Sequence, residues 1–237
     1  MNSQMATEFK AAIGKIKANH DLRVLILTGS GKSFSTGGNL ENIRSNIGTN
    51  PVVMKNSTLN YYNSFLSIRD LSIPTIAVIN GHAIGAGACL SLACDMRLAA
   101  NDAKIGFTFA KIGLYPGMGA EYFLSRIVGR ARTFELLMTG AILTAEEAYR
   151  IGLVNHIYPI EELMGKAESL ASEIASMPVL PIRMLKDSID ASMSGTLEET
   201  LKREASYQGL CYMTDDISEG ISSVEEKRAP RFNDDYS

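Results

Sequence analysis

Tryptophan is missing altogether from this 237-residue chain, and histidine and cysteine occur three times each. The cysteines, Cys89, Cys94 and Cys211, are odd in number and lack the paired spacing of a zinc site. Neither a disulfide framework nor a metal centre is expected, and a reducing, cytoplasmic setting fits. An excess of positive charge is also missing: 23 Lys and Arg against 26 Asp and Glu leave a net charge of -3. That excludes the basic footprint of a nucleic-acid binder. No apolar run approaches the ~18 residues of a membrane span, and Met1-Asn2-Ser3-Gln4 is no signal peptide. There is no internal repeat, heptad array or low-complexity tract. What remains is 46% hydrophobic and 21% charged, ordinary globular usage with enough chain for a sizeable core.

What the chain does have is glycine in telling places. Thr75-Ile76-Ala77-Val78-Ile79 is short, apolar and β-rich, with Pro74 before it and Asn80-Gly81 after it, so it reads as a buried strand. His82-Ala83-Ile84-Gly85-Ala86-Gly87 is a small-residue turn, and Ala88 to Ala93 reads as helix. Gly85 and Gly87 carry no side chain to keep a ligand from the backbone. Free N–H groups at a helix start favour an anion, or an oxygen that becomes anionic during a reaction.

Around this stretch, residues 4–18 form an amphipathic helix through Met5, Phe9, Ala12, Ile13 and Ile16, and Arg23 to Thr28 reads as a buried strand. Gly29-Ser30-Gly31-Lys32-Ser33 looks like a phosphate-binding loop, but that motif needs glycine at position 26, where Ile26 lies inside the strand. Phe34 to Leu40 is a second glycine turn, either exposing backbone N–H groups or serving as an ordinary connection. Residues 41–58 are polar and read as a surface segment, with helix returning over 58–70. Strands follow at Met96 to Ala100 and Lys104 to Phe107, and Ile112 to Ala120 is a third glycine-rich loop opening a helix. Strand, glycine turn and helix recurring three times favour a parallel α/β architecture. Thr144 to Glu147 and Thr196 to Glu199 are capping boxes. From Ile160 onward the chain reads as all-helical. The expected division is a core over 1–158 and a helical subdomain over 159–237.

Three signatures in order resemble the crotonase (enoyl-CoA hydratase/isomerase) superfamily. They are Phe34 to Leu40, Asn80-Gly81-x-Ala83-x-Gly85-x-Gly87 through Cys94-Asp95, and Gly113-Leu114-x-Pro116-x-x-Gly119. Thr139-Gly140, Gly152-Leu153-Val154 and Glu226-Lys227-Arg228-x-Pro230-x-Phe232 extend the resemblance over nearly the whole chain. It implies a ββα spiral core, C-terminal helices that build homotrimers or hexamers, and fatty-acid-type acyl-CoA metabolism with no cofactor beyond the coenzyme A of the substrate. An N-terminal strand pair usual in the family is expected to be missing, because Asn2 to Met5 match the entry to its first helix.

By the same resemblance, the amides of Thr36 and Ala86 form an oxyanion hole for a thioester carbonyl. Ser35, Gly37, Gly38, Asn39 and Leu40 run along the coenzyme, and Gly85 is a further substrate-binding position. Lys227 matches a lysine that reaches a CoA phosphate, or is a solvated cation at a helix end. The hydratase glutamates do not carry over: the matching positions are Cys89 and Phe109, and the isomerase carboxylate position matches Gly117. Without a general base, worth ~10²–10⁴-fold, the expected chemistry works through a thioester enolate or a polarised carbonyl: isomerisation with an unusual acid or base, decarboxylation, or thioester hydrolysis. A non-catalytic acyl-CoA-binding or assembly subunit is the alternative. Candidate acids and bases are His82, Glu121 and Tyr115, each with a purely structural reading beside it. Tyrosines elsewhere, Tyr62 among them, read as core.

Overall fold

A computed structural model describes residues 1–232. In chain order its elements are α1 (Ser3–Ala18), β1 (Leu25–Thr28), α2 (Leu40–Ser45), α3 (Pro51–Leu66), β2 (Thr75–Ile79), β3 (Ala83–Ile84), α4 (Ala86–Leu92), β4 (Met96–Ala100) and β5 (Lys104–Gly106). Then come α5 (Ala120–Ile127), α6 (Arg130–Thr139), β6 (Ile142–Thr144), α7 (Ala145–Arg150), β7 (His156–Tyr158), α8 (Ile160–Ala175), α9 (Val179–Ser192), α10 (Leu197–Cys211) and α11 (Asp215–Glu225). Among the described residues no helix is long and apolar enough to cross a membrane.

The expected parallel sheet is present, in the order β1-β2-β4-β7 with every pairing parallel. All five residues of β2 are buried, which is why its sequence is a continuous apolar run: a parallel strand covered on both faces has no polar side to show. The helix α8 lies across this sheet and buries Leu163 and Ala167 against it. A second, smaller sheet runs β3-β5-β6, with β5 and β6 antiparallel. Its strands β3 and β6 have two and three residues, too few for a periodic signal, and the sequence reading passed over both.

Residues 41–58 correct the expectation of a surface segment without structure of its own, since they hold nearly all of α2 and the first half of α3. The Asn39 side chain accepts from the N–H groups of Glu41 and Asn42, and that of Asn50 accepts from Val52 N–H, with Pro51 at the first helical position. Asparagine and proline serve here as helix-start chemistry, not loop punctuation. The helix proper ends at Leu66, and Ser67–Asp70 form a tighter 3₁₀ turn.

Two charged groups tie the sheet to its surroundings. Asp95 accepts from both Thr75 N–H (2.7 Å) and Thr75 hydroxyl (2.9 Å), and from Lys186 Nζ of α9 at 2.8 Å. Arg97 on β4 is 7% exposed and donates to the carbonyls of Leu153 (2.7 Å), Cys94 (2.8 Å) and Ser91 (3.5 Å). Removing its guanidinium leaves these buried acceptors without their donors. An Arg97→Met variant is therefore expected to lose roughly 2–4 kcal/mol of stability. The check is the midpoint of urea unfolding at an unchanged slope; a midpoint equal to the parent's would remove this role.

Candidate active site

Because β1 and β2 are parallel neighbours, pairing Thr28 with Val78, the loops that follow them leave the sheet side by side. The first loop then runs along β3. Ser35 N–H donates to His82 O (3.0 Å), Ile84 N–H donates to Ser35 O (2.9 Å), and Ser35 pairs with Ala83 in an isolated parallel bridge. Gly85 N–H donates to Gly106 O at 2.8 Å, which fixes the second loop on β5.

The two loops meet main chain to main chain. A Cβ on Gly37 would lie 2.6 Å from Ile84 O and 3.4 Å from Ala86 N, and one on Gly87 would lie 2.6 Å from Ser35 Cβ. Gly37 also has φ of +87°, and Gly85 has φ of +56° with ψ of -122°, regions that side chains rarely enter. At this meeting point the N–H groups of Thr36 and Ala86 have no acceptor among the described residues. Thr36 is exposed, whereas Ala86 is 9% exposed and opens α4.

The remaining expected site residues fall into distinct places. Ser35 braces the loop, its hydroxyl accepting from Gly37 N–H at 3.3 Å while its side chain backs Gly87. Gly38 packs on Ile43, Asn39 caps α2, and Leu40 is 68% exposed. Phe109 reaches towards Gly85, its Cζ 4.0 Å from where a Cβ would stand. Cys89 lies on α4 three residues after Ala86 and is fully buried; burial pushes its thiol far above the ordinary range, so it holds its proton and is a poor nucleophile. His82 is exposed, and its backbone carbonyl serves the loop pairing. Tyr115 donates to Glu121 at 2.8 Å in an exposed pair that raises the phenol's pKa through that bond.

Lys227 lies remote in sequence from these loops, past the end of α11. It has φ of +55°, and its N–H donates to Val224 O while that of Arg228 donates to Ser223 O. This is the Schellman closure of a helix, with lysine at the position glycine normally holds. Arg228 is engaged by Glu219 and Glu226, and the Glu219 carboxyl is held down to about 2 by that guanidinium and by Arg231 N–H. The Lys227 side chain is exposed.

One residue at the site was missed. Tyr62 of α3 lies over Gly117, where any side chain would collide with its hydroxyl and come within 2.6 Å of its Cζ. In sequence Tyr62 is one aromatic on an apolar helix face; its contact with Gly117 exists only in the folded chain.

Two clefts lie elsewhere. One of about 480 Å³ is bounded by Arg69, Tyr122, Arg126, Ile182 and Lys186, and another of about 660 Å³ by Pro178, Cys211, Ile217, Val224 and Phe232. Both are mostly apolar and border the C-terminal helices, and neither includes Thr36, Ala86, Cys89 or Phe109.

The fold is an α/β chain in which two glycine loops touch main chain to main chain, each with an amide that has no acceptor among the described residues; unpaired donors of that kind suit an oxygen that carries negative charge. The enoyl-CoA hydratase/isomerase family model matches residues 1–235, and the chain belongs to that family. It is 32% identical over 232 residues to a probable enoyl-CoA hydratase of Mycobacterium tuberculosis, covering 98% of this chain and 88% of that one. It is 34% identical over 233 residues to the 1,2-epoxyphenylacetyl-CoA isomerase of Escherichia coli, with the same coverage. The crystal structure of an enoyl-CoA hydratase from Bacillus anthracis superposes with a TM-score of 0.91 at 32% identity, covering 99% of this chain and 90% of that one. The fold is thus that of the crotonases.

The contact between the loops makes a graded prediction. Gly37→Ala and Gly87→Ala are expected to cost ~1–3 kcal/mol each, through backbone collision and, at Gly37, left-handed strain. Gly38→Ala meets only ordinary contact with Ile43 at 3.5 Å and should stay within ~0.5 kcal/mol of the parent. Thermal unfolding of the three variants checks the order; equal effects at all three positions would contradict the close approach.

Proposed function

We propose that this chain is an acyl-CoA enzyme that holds a thioester carbonyl between the Thr36 and Ala86 amides and works through the thioester enolate or the polarised carbonyl, without the hydratase glutamate pair. The observation that carries the reading is the pair of amides, free of acceptors, on two loops in backbone contact. Two such donors are worth several kcal/mol to a developing oxyanion, since losing one costs ~3–4 kcal/mol. Coenzyme A enters as part of the substrate, along Ser35 to Leu40, and no other cofactor is needed.

Relatives named hydratase and isomerase both support the family-level activity. Cys89 and Phe109, at the positions matching the hydratase glutamates, weigh against water addition: one is a buried thiol that keeps its proton and the other has no ionisable group. Isomerisation, decarboxylation and thioester hydrolysis remain the subclasses. Decarboxylation of a malonyl-type thioester suits the site because CO₂ leaves without a base. The same missing acids favour the second reading, a non-catalytic acyl-CoA-binding or assembly subunit. Self-association as a homotrimer or hexamer goes with either reading, supported by Leu185, Ile189, Met193, Leu210, Met213 and Val224, which the C-terminal helices leave exposed.

Incubating the protein with crotonyl-CoA, a 3-enoyl-CoA and methylmalonyl-CoA separates the readings. Turnover of the second or third well above that of crotonyl-CoA is expected; binding of all three with no turnover establishes the subunit reading instead, and rapid hydration of crotonyl-CoA sinks the proposed loss of water addition.

Lys227 gives an independent test. Its left-handed backbone costs ~1–2 kcal/mol that glycine would not incur, so Lys227→Gly should stabilise the end of α11. If the ammonium meets a CoA phosphate, the same variant binds CoA several-fold more weakly while its affinity for dephospho-CoA changes less. Equal losses for both ligands, or none, would refute that contact.

A further inference from the structure

Three tyrosines of this chain invite comparison through what their hydroxyls meet. Tyr115 donates to Glu121 at 2.8 Å and Tyr207 donates to Asp187 at 2.7 Å, both at the surface. The hydroxyl of Tyr62 makes no hydrogen bond among the described residues, and it is not one of the sealed, unsatisfied polar atoms. It is therefore reachable from outside the protein while its ring is half-buried, edge-on to Tyr61 at 6.2 Å.

Its position is tightly determined. Gly117 has no left-handed φ of its own, so its lack of a side chain answers to Tyr62 and not to the backbone. The loop bearing Gly117 is locked by Met118, which is 1% exposed and has φ of +51°, and by Gly119, with φ of +72° and the Phe123 ring against it. Burial, and after it the nearby Cys89 of α4, raises the phenol's pKa. Cys89 is about one helical turn, ~5 Å along α4, from the Ala86 amide. The hydroxyl stands over Gly117, one of the positions where the resemblance places a carboxylate in other members. Burial keeps it protonated at neutral pH, so it acts as a donor.

We propose that Tyr62 is the acid of this site, delivering a proton to the carbon of the thioester enolate. The assignment rests on the functional reading above. In decarboxylation of a malonyl-type thioester, the bond to the carboxylate breaks, CO₂ leaves, and the electron pair becomes the enolate. The enolate carbon then takes the Tyr62 proton, forming the new C–H bond, and the phenolate recovers a proton from water.

The test uses the full chain and its Tyr62→Phe variant, which removes one oxygen and keeps the ring. Methylmalonyl-CoA is turned over in D₂O and the configuration of the deuterated propionyl-CoA is read. The parent should give a single configuration; the variant should give both equally, because solvent then protonates a free face. The Kd of the variant for propionyl-CoA and its unfolding temperature should stay close to the parent's. Gly117→Ala, which keeps the phenol but pushes its hydroxyl aside, should also give both configurations. A Tyr62→Phe protein with the parent's rate and a single configuration overturns the assignment. So does a parent that binds CoA thioesters without turnover, or only hydrolyses them, since neither protonates carbon; those results leave the binding reading standing. A parent that binds no CoA thioester overturns the functional reading itself, and this assignment with it.

Discussion

Backbone contact between Ser35–Gly37 and Ile84–Gly87 is the constraint on which the site depends. Ordinary loops stand apart by the thickness of their side chains; here a Cβ on Gly37 or Gly87 would reach within 2.6 Å of the opposite loop. At that separation the two main chains touch, and under the proposed function an amide from each loop addresses one oxygen atom. The contact in turn depends on the sheet. Parallel pairing of β1 with β2 sends both following loops out at the same end, the edge where open α/β sheets hold ligands. A single residue of slip between those strands would displace one amide relative to the other by ~3.3 Å, more than a hydrogen bond tolerates. The buried strand is a positioning device as much as a core element.

That dependence explains which parts of the molecule were legible in its sequence. Burial on both faces makes β2 a continuous apolar run, and the close loop contact requires glycines, so Thr75–Gly87 stood out. The four C-terminal helices were legible through their periodicity and capping boxes. The start of α3 was not, because Asn50 and Pro51 are ambiguous between a loop and a helix entrance until something packs on the helix. Strands β3 and β6 were too short to have a period. Tyr62 reads as core beside Tyr61 and Phe65, and its ring does pack against the core; only the fold brings Gly117 beneath its hydroxyl. Residues whose role is set by their own backbone were readable, and residues whose role is set by a distant partner were not.

The electrostatics of the site are as informative as its geometry. Cys89 and Tyr62 both hold their protons more firmly than in water, each chiefly because burial disfavours its charged form. Glu121, the carboxylate nearest in sequence to the Gly117 loop, is engaged by Tyr115 in solvent. Cys89 and Tyr62, protonated in this way, are donors and not bases. Under the proposed function that favours loss of a neutral fragment such as CO₂ over reactions that begin by removing a proton.

Backbone strain adds a last distinction. Among the described residues, two that are not glycine have left-handed φ, Met118 and Lys227. Met118 is almost completely buried, so packing of its side chain offsets the strain, and the loop carrying Gly117 is held rigid as a result. Lys227 is exposed and its side chain has no ion pair among the described residues, while Arg228 next to it takes both available carboxylates. Among the described residues no ion pair compensates a lysine for standing where glycine closes the helix more easily. Strain of that kind directs attention to what the side chain meets outside the chain, which is the reason to separate the proposed contact with a CoA phosphate from the plain solvated cation of a helix end.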